Sequence, residues 1–211
     1  MKKVIPLTLL MLGICVVVLN QRENPQDDID RIFNTGNYKR FPKPVLKPAS
    51  LKRDAGIKVL QKILDRYDKI YQENDDFCRR ANSMRDSLNI DGRVVYSCLM
   101  FCESAGDPYK VGDTNLRHHA YGSLQIRQPA LTDLIRRRGF NKNLSDFVGD
   151  SEDALMNSVE AFHEYTAIYL KNGETRNLNA WLNTWNGGPK GTTKKSKYTE
   201  KVRERLSNFH H

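Results

Sequence analysis

Glu103 is the residue whose neighbours best suit it to move a proton. It ends an apolar run with helical spacing (Val94, Val95, Leu99, Phe101, Cys102), and the breakers Gly106, Asp107 and Pro108 follow at once. A carboxylate at the end of a buried helix is partly desolvated. Desolvation penalises the charged form and lifts the pKa towards the range useful to a general acid. Such a group can protonate the leaving oxygen of an acetal, the first need in cleaving a glycosidic bond. A lone glutamate at a helix end is ordinarily a surface group. Here two further stretches follow in order: Tyr121-Gly122-Ser123-Leu124-Gln125, then Trp185-Asn186-Gly187-Gly188-Pro189. Gly122 permits close approach of a ligand to the backbone, and Gln125 offers both a donor and an acceptor. Asp113 sits in a turn-rich stretch that can fold back over a cleft, which makes it the candidate second carboxylate. Asp107, beside Pro108, reads as a turn residue.

The order of these residues resembles the lysozyme-like superfamily, and within it the lytic transglycosylase and goose-type lysozyme branch. There a helix ends in Glu-Ser, a Gly-x-x-Gln segment follows across the cleft, and a Tyr-Asn-x-Gly-Pro motif comes later. The matching positions are Glu103-Ser104, Gly122 to Gln125, and Trp185 to Pro189, and the resemblance covers Gly92 to Leu206. It implies a mainly α, lysozyme-like (α+β) fold with one small β-hairpin beside the cleft, and cleavage of the β-1,4 bond of peptidoglycan. In that reading Glu103 is the general acid and base, with Asp113 its partner in a hydrolytic variant. Ser104, Tyr121, Gly122, Gln125, Trp185 and Asn186 would bind the glycan strand. Transglycosylases work with the glutamate alone, the sugar's own 6-hydroxyl closing a 1,6-anhydro ring. Trp185 stands where the family has tyrosine, removing a hydroxyl that in relatives bonds the glutamate. Leu124 replaces a common methionine, and the gap from Glu103 to Gly122 is a few residues longer than usual. The implied class is a peptidoglycan glycosidase, lytic transglycosylase or muramidase, with no cofactor. An inactive envelope-binding protein of the same fold is the alternative.

The elements that must position these residues are mostly helices. Ile57, Leu60, Ile63, Leu64, Tyr67, Ile70 and Tyr71 recur at three- and four-residue steps, an amphipathic helix. A weaker helical pattern spans Phe77 to Leu88, and Asn89 to Gly92 breaks the chain before the Glu103 helix. Pro129 suits a first helical position, with Gly139 as the stop. Ser151 is an N-cap with Glu152 and Asp153 in the first turn of a helix reaching about Lys171. Further helices are expected at Leu178 to Trp185 and at Lys197 to Phe209. Strands are expected only between Lys110 and Ile126.

The chain has 211 residues, enough for one ordinary domain plus extensions. Residues 1–20 place Lys2 and Lys3 before an apolar run, as in a signal peptide or signal anchor, and no small-residue cleavage site follows. The expectation is an exported domain, held at the membrane through this segment and facing the periplasm or cell exterior, or secreted if the segment is cleaved. Residues 21–50, with Pro42, Pro44 and Pro48 among lysines and arginines, read as an extended basic tether. Residues 51–91 form an N-terminal helical extension and 92–211 the catalytic domain.

The formal charge is +9. Behind an export signal this suits anionic envelope polymers and peptidoglycan strands as partners rather than nucleic acid, for which no recognition motif is present. Apart from Cys15 the cysteines are Cys78, Cys98 and Cys102. Cys98 and Cys102 lie one helical turn apart, a poor geometry for pairing, so either Cys78 bridges to one of them or all three are buried thiols. No paired Cys-x-x-Cys spacing supports a metal site. His118 and His119 are adjacent, so in a strand they would face opposite sides.

Overall fold

The computed structural model describes residues 39–48, 55–171, 173–191 and 193–210. The expected signal or anchor segment, and the tether as far as residue 38, lie outside the described residues. Among those residues no helix is long and apolar enough to cross a membrane.

Seven helices and a small sheet make up the described chain. They are α1 (Ala55–Glu73), α2 (Asp75–Leu88), α3 (Gly92–Ser104), α4 (Gln128–Arg138), α5 (Glu152–Tyr169), α6 (Leu178–Gly187) and α7 (Lys197–Leu206). Strands β1 (Val111–Gly112), β2 (Ala120–Tyr121) and β3 (Ile126–Arg127) lie between α3 and α4. The fold is thus mainly helical with a minor antiparallel sheet. The sheet has three strands in the order β1-β2-β3, one more than the single hairpin the sequence suggests. Two residues per strand carry almost no alternation, so periodicity could not find the third.

Helix α3 is the central element. Every residue from Gly92 to Met100 is buried, and α1, α2 and α7 pack around it. The apolar stripe of α1 read from the sequence is its buried face, residue for residue. Asn74 caps α2 by accepting from the Phe77 N–H, and Asp91 caps α3 by accepting from Arg93. Each such cap satisfies a backbone donor that a helix start leaves orphaned. Residues of α1 and α2 belong to the same core as those of α3 and α5. The described part of the expected extension, residues 55–91, therefore shares one interior with the residues that follow it.

Residues 39–48, the end of the expected tether, are extended but docked. Leu46 is buried and bridges to Phe209. Lys47 N–H donates to Asn208 O at 2.8 Å and His210 N–H to Val45 O at 3.1 Å. Arg93 anchors this strap from within the core. Its guanidinium is fully buried, pairs with Asp68 at 2.6 Å and Asp91 at 2.8 Å, and donates to Pro42 O at 2.7 Å. It also lies 4.0 Å over the Tyr71 ring. Prolines and lysines alone read as a spacer, and only tertiary contacts recruit Leu46 to the core.

Cys78, Cys98 and Cys102 are free thiols, the first two buried. Burial raises the Cys102 thiol to about 11.

Candidate functional site

Helix α3 ends at Ser104 because Ala105 turns into the left-handed region at φ +57°, its N–H donating to Phe101 O at 3.0 Å and the Gly106 N–H to Met100 O at 3.4 Å. Two lysines bind the remaining carbonyls of that end. Lys110 Nζ donates to Glu103 O at 3.1 Å and Lys201 Nζ to Cys102 O at 2.9 Å. Cations at a helix C-terminus complement its exposed carbonyls. The backbone under Glu103 is therefore held from two directions.

The Glu103 side chain is half-buried and opens onto a cavity of about 540 Å³. Tyr198, in the first turn of α7, donates its hydroxyl to Glu103 Oε1 at 2.5 Å. Burial pushes the Glu103 carboxyl above its ordinary value. The Tyr198 hydrogen bond and the charges of Lys201, Arg127 and Lys110 pull it down, but burial outweighs them. The result is a carboxyl biased towards holding a proton, oriented by a phenol.

Gln125, Asp113, Trp185 and Asn186 line the same cavity as Glu103. Gln125 adopts φ +56°, and its Nε2 donates to Lys110 O at 3.1 Å and Gly122 O at 2.8 Å. A Cβ at Gly112 would lie 2.1 Å from Gln125 Oε1, so Gly112 makes room for this amide. Trp185 stacks edgewise on Phe162 and Tyr165, with ring centroids 5.4 and 6.0 Å away, and holds the α6 wall. Asp113, also left-handed at φ +53°, forms an ion pair with Arg127, which lines the cavity too. Of the four non-glycine residues with positive φ among those described, two, Asp113 and Gln125, line this cavity. Left-handed backbone at a non-glycine residue is costly, and such costs concentrate at functional sites.

Three expected site residues serve other ends. Ser104 is buried and donates to Met100 O at 2.9 Å, so it completes its own helix rather than facing the cavity. Gly122 is needed for packing: at φ +75°, a Cβ would lie 1.9 Å from the Phe147 carbonyl oxygen. Tyr121 is absent from the cavity wall, its ring lying 6.4 Å from that of His119. Adjacent residues on a helix end or tight turn cannot all face one cleft, and spacing alone does not say which one does.

Sequence reasoning missed Tyr198, Arg127 and Lys110. Tyr198 brings a phenolic hydroxyl to Glu103 from a separate helix. Its signal was the inward stripe Tyr198, Val202, Leu206, of which Val202 and Leu206 are buried. Among the described residues no group of three or more His, Cys, Asp or Glu is placed to hold a metal ion.

The geometry defines a helical protein with one half-buried, phenol-bonded carboxyl in an open polar groove. No family model matches the chain, and neither a curated protein nor a solved structure matches it.

Proposed function

We propose that this protein is a peptidoglycan-cleaving glycosidase of lysozyme-like fold, working by the single-glutamate route of lytic transglycosylases. The observation that carries this reading is Glu103: half-buried, bonded by Tyr198, its carboxyl raised by burial, and facing a cavity of about 540 Å³. Protonated Glu103 gives its proton to the leaving glycosidic oxygen as the C1–O bond breaks. The resulting carboxylate then takes the proton of the sugar's 6-hydroxyl as that oxygen bonds to C1. The 1,6-anhydro ring closes, the acid is regenerated, and no water is consumed.

The Asp113 carboxylate faces Arg127, and the single-glutamate route needs no second carboxylate, since Glu103 serves in turn as acid and as base. Export behind the N-terminal apolar segment would bring the groove to its polymer, and the basic surface would favour an anionic envelope.

Digestion of purified sacculi tests the reading. Mass spectrometry should find anhydromuramoyl products, one water lighter than hydrolytic ones, and Glu103→Gln should lose clearing in zymograms. Reducing-end products would move the mechanism to hydrolysis, with Asp113 as its second carboxylate. Undiminished cleavage by Glu103→Gln would remove the site assignment. Binding of sacculi without release of muropeptides would leave an envelope-binding protein.

A further inference from the structure

Arg127 lies outside the Glu-Ser, Gly-x-x-Gln and Asn-x-Gly-Pro stretches, yet it stands on the cavity wall. The sheet register aligns Gly112 with Ala120 and Ala120 with Arg127, so the three form one cross-strand row. Asp113, one residue beyond Gly112, meets the guanidinium at the end of that row. Neither partner is buried: the side chains of Arg127 and Asp113 are 48% and 36% exposed. An ion pair this open to water contributes only about 0–1 kcal/mol, so a better-placed anion can displace Asp113.

The charge balance of the groove points to such an anion. Its acidic and basic wall residues are Glu103, Lys110, Asp113 and Arg127, the Tyr165 phenol beside them being neutral. When Glu103 carries the proton it must donate, Lys110 and Arg127 face Asp113 alone, and the wall has an excess positive charge. Lys110 spends one donor on Glu103 O and has two more. Arginine presents a planar fork that matches a carboxylate in two places at once.

We propose that Arg127, assisted by Lys110, is a specificity-determining residue that binds a carboxylate carried by the glycan, displacing Asp113 as its internal counter-ion. The proposal rests on the glycosidase reading and narrows its substrate class to anionic strands over neutral N-acetylglucosamine polymers. The carboxylate can belong to the stem peptide or to the lactyl ether of a stripped muramoyl residue.

The test compares kcat and KM of the full chain on four substrates. These are intact strands, strands stripped of peptide so that the lactyl carboxylate is free, strands with every carboxylate amidated, and neutral N-acetylglucosamine oligomers. The wild type should prefer carboxylated over amidated strands by about tenfold, expressed in KM. Arg127→Gln should bring that ratio to within about twofold, Arg127→Lys should keep part of it, and Asp113→Asn should widen it by freeing the guanidinium. Whether the stripped or the intact strands keep the preference identifies the carboxylate. Equal KM for native and amidated strands in the wild type overturns the proposal and leaves glycosidase activity standing, as does a ratio preserved in Arg127→Gln. Should no substrate be cut, the activity reading falls. Co-sedimentation with intact and amidated strands then decides Arg127, since the same preference, lost in the glutamine variant, supports the assignment and equal retention overturns it. If Arg127→Gln does not fold, Arg127→Lys and Asp113→Asn decide by the same ratios.

Discussion

Tyr198→Phe isolates what the phenol does for Glu103. Phenylalanine keeps the ring packed between α7 and α3 and removes only the hydroxyl that donates to Oε1. The folded pKa of Glu103 lies above its ordinary value of 4.5. Its neutral form therefore contributes stability that is fully present below the unfolded value and is lost as pH rises through the folded one. The phenol favours the charged form and so reduces that loss. Without it the carboxyl moves further up and the variant weakens more as the acid ionises. A hydrogen bond to a charged group contributes about 1.5–3 kcal/mol and a neutral one about 0.5–1.5 kcal/mol. Water can enter from the cavity side, so the lower part of each range applies. Tyr198→Phe should then cost about 2 kcal/mol near pH 7.5 and about 1 kcal/mol near pH 4. Urea unfolding at both pH values, with an unchanged m-value, measures this. In a Glu103→Gln background the pH-dependent part should vanish, and the basic limb of kcat/KM against pH should move upward in the phenylalanine enzyme. Equal costs at both pH values and in both backgrounds would show that the phenol does not bond the ionised carboxylate.

The core supplies further outcomes. Arg93→Ala strands Asp68 and part of Asp91 and frees the strap at Pro42; chemical denaturation should show a loss of about 3–5 kcal/mol, and proteolysis should reach residues 39–48 first. Gly122→Ala places a methyl against the Phe147 carbonyl at an unfavourable φ and should cost roughly 2–4 kcal/mol by the same measurement. His163 is buried against the Tyr96 hydroxyl at 2.6 Å. Burial and then the charge of Arg80 hold it well below its ordinary 6.5. Only the unfolded chain takes up that proton as pH falls below 6.5, so stability should drop there by up to about 1.4 kcal/mol per pH unit. His163→Gln should flatten that slope in unfolding titrations.

Local pattern places the helices, and it puts Glu103 at the end of the most buried of them. The stripe Ile57 to Tyr71 recurs at the helical period, and Asn74, Asp91 and Ser151 cap where orphan N–H groups demand an acceptor. Glu103 was legible because an apolar run ending in a carboxylate and then a breaker is a local pattern. So were Gln125, Trp185 and Asn186 as candidates, since their motifs are contiguous. Which side chains share the groove was decided only by the tertiary structure. Tyr198 lies 95 residues from Glu103, and no periodicity encodes a contact between helices so far apart in sequence. Ser104 turned inward because its hydroxyl had a helix carbonyl to satisfy. Gly122 answered to the Phe147 carbonyl, and Asp113 to a guanidinium two strands away. Leu46 entered the core because the strap around it found backbone partners that a proline-rich stretch lacks alone: Asn208 and His210 beside it, and the Arg93 guanidinium at Pro42 O. Local periodicity fixes which face of an element is apolar; the partner across the gap is set by packing among elements, which the one-dimensional pattern does not contain.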